Sequence, residues 1–107
     1  MQPVTHREAE ARGLALHAEV ARRLRSDPEL VAQARRRLER WVESGALALP
    51  WAQAWDDVLA KPVDEIIAVL TDPGEWACSL RQNSPFAGAL DARTRWAILR
   101  RVQTRPS

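Results

Sequence analysis

The chain reads as an all-α protein folded as one compact domain of five to six helices, two longer ones first and shorter ones after. Three observations predict this. Apolar residues recur at helical spacing through most of the chain. Helix-start and helix-stop residues punctuate it at regular intervals. No segment shows the β-branched and aromatic alternation, or the Asn-Gly type turns, of strands and hairpins. A length of 107 residues suits a single domain able to bury a core without metal or disulfide staples, and 46% hydrophobic with 28% charged residues is the composition of a globular chain.

Thr5 with Glu8 forms a capping box that opens the first helix, which is expected to run to about Arg25 with Ala9, Gly13, Leu16, His17, Val20 and Leu24 on one face. Ser26 with Glu29 is a second capping box, with Pro28 in the first turn where its missing N–H costs nothing. The second helix carries the stripe Leu30, Val31, Ala34, Leu38, Trp41 and Val42, and Ser44-Gly45 ends it with a left-handed cap. After the apolar connector 46–49, Pro50 opens a third helix with Trp51, Trp55, Val58 and Leu59 inward, and Pro62 stops or kinks it. Val63, Ile66, Ile67 and Leu70 form the next stripe. Asp72-Pro73-Gly74 is a turn, and a short helix anchored by Trp76 and Leu80 follows from Glu75 to about Gln82. Residues 83–90 lack periodicity yet are apolar, so they should pack on the body or on a partner. Asp91 then caps a last helix, Ala92 to about Val102, with Trp96, Leu99 and Val102 inward. The ends, residues 1–4 and 104–107, are expected to fray.

Charge is unevenly spread beneath a net +2. Residues 50–75 hold one lysine against six acids, whereas residues 76–107 hold six arginines against one acid. With 15 of the 16 basic residues arginine and alanine abundant, the composition suggests a GC-rich bacterial genome. The longest apolar runs fall well short of the roughly 18 residues that span a bilayer, and the polar start is unlike a signal peptide, so a cytoplasmic protein with no membrane role is expected.

Little in the inventory suits catalysis. His6 and His17 stand at no ligand spacing and in no nucleophile–base arrangement, the four glycines form no phosphate loop, and Cys78 is single and reads as a small apolar filler. The dense carboxylates Asp56, Asp57, Asp64 and Glu65 could share acid–base work or hold a divalent ion, but adjacent acids on a helix diverge and first-turn acids favour the helix dipole. The reading is therefore not an enzyme, with no catalytic residue, metal or cofactor. Arg22, Arg23, Arg35, Arg36, Arg37 and Arg40 could instead form a phosphate-contacting surface, which makes a small nucleic-acid-binding regulatory protein the alternative. Nearby Glu29, Glu39 and Glu43 dilute that field. Five tryptophans are difficult for a small domain to bury, and tryptophan is enriched at protein–protein contacts. Trp51, Trp55 and Phe86, with Pro85 and Leu90 of the apolar segment and the four acids, are the candidate partner-binding residues.

The stretch Leu80-Arg81-Gln82-Asn83-Ser84-Pro85-Phe86-Ala87-Gly88-Ala89-Leu90, followed by Arg95-Trp96-Ala97-Ile98-Leu99-Arg100, resembles the ending of small helical bacterial proteins that are the antitoxin partners in two-gene toxin–antitoxin loci. The resemblance implies a protein that binds and neutralises a cognate toxin of nucleotidyltransferase or nuclease type, and it assigns no catalytic residues. A separate DNA-binding half, common among antitoxins, is not evident. Acidic residues 50–75 would suit the basic cleft of such a toxin.

Overall fold

The computed structural model describes residues 6–104, with side-chain burial for residues 8–102. Six helices follow one another: α1 (His6–Leu24), α2 (Glu29–Ser44), α3 (Leu49–Leu59), α4 (Val63–Thr71), α5 (Glu75–Arg81) and α6 (Ala92–Thr104), and no strand occurs among the described residues. The all-α expectation and the order of lengths hold. The Thr5 cap and residues 1–4 lie outside the described residues, as does most of the C-terminal segment expected to fray.

α1 is the central element and packs on α2, α4, α5 and α6, while α3 joins α2 to α4 and α5. Its inner face carries His17, Val20, Ala21 and Leu24, all buried, with Gly13 and Leu16 half-buried; Ala9, placed on that face by periodicity, is exposed. These side chains meet Leu30, Ala34 and Leu38 of α2, Ala52, Trp55, Val58 and Leu59 of α3, Ile66 and Leu70 of α4, Leu80 of α5 and Phe86 in one core. Truncating a core leucine in such a site to alanine costs about 2–5 kcal/mol.

The α1–α2 connection departs from the capping box. Ser26 Oγ turns back to donate to the Arg23 carbonyl at 3.4 Å, and no side chain caps α2. The Arg23 carbonyl draws the Ser26 N–H and the Asp27 N–H as well as this hydroxyl, and Pro28 removes one of the N–H donors a cap would serve. Glu29, the other half of the expected box, binds Arg36 instead. The end of α2 is as the sequence implies. Gly45 adopts φ +74°, and the Gly45 and Ala46 N–H groups donate to the Val42 and Trp41 carbonyls, a Schellman closure that needs a residue without Cβ strain.

Pro50 lies in the first turn of α3, and Pro62 separates α3 from α4. In the 72–74 turn the Asp72 carboxylate accepts the Gly74 N–H at 2.8 Å. Asp91 caps α6 through its carboxylate to the Thr94 N–H (3.2 Å) and hydroxyl (2.6 Å). α6 differs from expectation in rotation: Ile98 is its buried residue, Leu99 and Val102 are half-buried, and Trp96 is 62% exposed. α6 packs on α1 alone among the helices, so its contact stripe is narrow, with Ile98 the one buried residue among its described side chains.

Candidate functional site

The tryptophans divide into core and surface. Trp55 is fully buried, its Nε1–H donates to the Leu80 carbonyl at 3.0 Å, and its ring meets Phe86 edge-on with centroids 6.1 Å apart. Trp55, Phe86 and Pro85 are therefore internal, which corrects their candidacy as partner-contacting residues. The reason is local. Residues 83–90 form consecutive turns, with Ala87 N–H on the Ser84 carbonyl and Ala89 N–H on the Phe86 carbonyl, which satisfy the backbone and let apolar side chains enter the core. The stretch 80–90 thus seals the body: Leu80, Arg81, Ser84, Pro85 and Phe86 are all buried, and Leu90 is half-buried against the core.

Trp96, assigned inward by spacing, is on the surface instead, and so is Trp76, read as an anchor of its short helix. Trp76 is 63% exposed and stacks on the half-buried Trp51 of α3, with centroids 5.6 Å apart and planes inclined by 22°. Leu49, at the start of α3, is 71% exposed, and Val42 of α2 is also exposed. Between α2 and α3, Leu38, Val42, Leu49 and Ala52 line a shallow groove rimmed by Glu39, Glu43, Gln53 and Asp56. Its floor is apolar and its rim carries three carboxylates.

Of the expected acidic contact residues, Asp56, Asp57, Asp64 and Glu65 are all exposed, but only Asp56 lies at this groove. Asp56 pairs with Arg35 at 3.6 Å and Asp64 with Arg25 at 3.5 Å. Among the described residues, no group of three His, Cys, Asp or Glu converges to hold a metal ion. The arginines of the alternative reading are similarly engaged. Arg22 and Arg23 both bind Glu19, whose carboxyl they hold at a pKa of about 2, Arg36 binds Glu29, and Arg37 lies against Gly88. Arg40 is exposed on the same helix.

A second arrangement joins residues distant in sequence. His17 Nδ1–H donates to the Gly13 carbonyl at 2.7 Å, which leaves Nε2 to accept the Ser84 hydroxyl at 2.7 Å; the Ser84 oxygen in turn accepts the Phe86 N–H at 3.1 Å. Burial, the Gly13 bond acting in the opposite sense, and the Arg81 charge together lower the His17 pKa to about 4, so the ring is neutral at pH 7. A base in contact with a hydroxyl is the start of a nucleophilic pair, but both partners are buried and the neighbouring N–H is spent on Ser84 itself. The geometry is that of a latch holding residues 84–86 to α1. Behind it Arg81, 7% exposed, donates from Nη1 to the Val69 and Leu70 carbonyls at the end of α4 and from Nη2 to Cys78 Sγ at 3.2 Å. Cys78 is thus a hydrogen-bonding partner as well as the filler expected of it.

His17, Ser84 and Arg81 line a cavity of about 380 Å³ bounded by α1, the α2 end, residues 46–47, residues 81–90 and Arg95 of α6. His17 was visible in sequence as a histidine on an apolar stripe; its pairing with Ser84 was not, because nothing local links positions 67 residues apart. No known protein family, curated protein or solved structure matches this chain.

Proposed function

We propose that the protein is a protein-binding module, most specifically an antitoxin that neutralises a cognate bacterial toxin by docking the α2–α3 groove onto a basic, apolar-edged surface. The observation that carries this reading is the exposure of Leu49, the largest for a big apolar side chain among the described residues, beside a groove whose rim carries the carboxylates of Glu39, Glu43 and Asp56. Apolar side chains left in water at a concave site favour a partner, and an acidic rim selects a basic one and speeds its association. A toxin of nucleotidyltransferase or nuclease type presents such a surface where it binds phosphates. The resemblance of residues 80–100 to antitoxin endings points the same way, although the buried part of that stretch acts through the fold.

The test is co-expression with the product of the neighbouring reading frame, followed by size-exclusion chromatography. Co-elution that is lost in Leu49→Asp/Val42→Asp and retained in Asp57→Asn supports the reading. Absence of a complex with the wild-type chain sinks it.

A second reading, a small nucleic-acid-binding regulator, draws on α6, where Arg93 and Arg100 flank the exposed Trp96 and could offer phosphate contacts beside a stacking ring. Retention of RNA or DNA that falls steeply with salt and is lost on Trp96→Ser would support it over the first.

A further inference from the structure

We infer that the cavity between α1 and residues 81–90 is a binding site for the carboxylate of a small amphipathic acid. Three independent features of the site converge on this ligand class.

The first is charge. Arg81 and Arg95 both line the cavity, together with Gln82 and Asn83, and none of the lining residues is acidic. Arg81 is buried and bonded only to the carbonyls of Val69 and Leu70 and to Cys78 Sγ, and Arg95 only to the Ala87 carbonyl at 3.2 Å. Neither guanidinium has a carboxylate partner among the described residues. The buried charge of Arg81 meets only neutral carbonyls and a thiol, and at the mouth of the cavity the exposed Arg95 keeps further N–H groups that suit the paired oxygens of a carboxylate.

The second is Gly13. Glycine inside a helix costs about 1 kcal/mol relative to alanine, and a close neighbour is the usual reason to accept that cost. Here a Cβ at Gly13 would meet nothing within 4 Å, so packing supplies no reason. Gly13 lies in the cavity wall, and the missing side chain leaves the cavity open.

The third is shape. A volume of about 380 Å³ lies within the range of small-molecule sites. Leu16, Trp41, Leu47 and Leu90 also line it, apolar surface that suits an aryl or alkyl body. Such a carboxylate comes either from a free acid or from the C-terminus of a peptide.

Two-dimensional ¹H–¹⁵N NMR of the full chain, titrated with 4-phenylbutyrate, N-acetyl-Phe-Leu and the neutral 4-phenylbutyramide, tests this. Saturable shifts at the Gly13 and Ala87 amides and the Arg95 Nε–H are expected for the acids, with the amide at least about tenfold weaker. Whichever acid saturates at the lower concentration identifies the source. Arg95→Gln should weaken the acids about tenfold and leave the amide unchanged. Gly13→Leu should abolish binding, and Gly13→Ala should raise Tm by about 4 °C. Equal binding of acid and amide, no saturable shift at these positions, or binding that survives a folded Gly13→Leu would overturn the proposal. Leu49→Asp, which disables the α2–α3 groove, should leave the titration unchanged, so the two proposals fail separately.

Discussion

His17 Nε2 accepts the Ser84 hydroxyl across a sequence separation of 67 residues, tying the first helix to the turns that precede the last one. Because burial lowers the His17 pKa to about 4 from 6.5 in the unfolded chain, the folded state binds the proton less readily. The contribution is constant above pH 6.5, where both states are neutral. It is lost as pH falls from 6.5 towards 4, where only the unfolded state is protonated, by a total of about 3 kcal/mol. Urea unfolding at pH 7.5, 6 and 4.5 should show that loss, and a His17→Gln variant should show a shallower slope over the same interval. A parallel slope in the variant would assign the pH dependence to other groups.

Replacing Trp55 with phenylalanine removes its bond to the Leu80 carbonyl, which keeps the Asn83 N–H, at a cost of about 0.5–1.5 kcal/mol; alanine also opens a cavity and should cost about 3–5 kcal/mol. The midpoint of chemical denaturation reports both. Partner binding by the folded fraction should not change with Trp55→Phe, since the ring is internal.

Gly45→Ala places a Cβ in the left-handed region at φ +74° and should lower stability by about 1 kcal/mol. Asn at the same position should recover part of the loss, a difference that thermal melts resolve.

Trp96→Ser should change stability by less than about 0.5 kcal/mol, because the ring is largely in water. Trp76→Ser should cost more, about 0.5–1.5 kcal/mol, through loss of the stack on Trp51. Near-ultraviolet circular dichroism should lose the coupled tryptophan signal only in the second variant.

Helix positions and most core stripes were legible because they depend on local chemistry: Pro50, Pro62, the 72–74 turn, Gly45 and Asp91 act within a few residues of where they stand. The departures share a different cause. Whether Trp96 or Ile98 faces inward depends on which neighbour α6 meets, and whether Phe86 seeks a partner or the core depends on Trp55, 31 positions earlier in the chain. The candidate sites were legible only as residue types. The acids of residues 50–75 were visible, but that Arg25 and Arg35 would engage two of them, and that Glu39 and Glu43 of α2 would complete the groove rim, required the packing.

The packing of α6 on α1 alone has a consequence for synthesis. Because α1 precedes α6 in the chain, it keeps one flank uncovered until α6 is made, so α1 through α5 can collapse early while that flank stays in water. Closure of this flank is then timed by translation of α6, and a chain arrested before Ala92 would leave the α6-facing side of α1 open to chaperones and proteases.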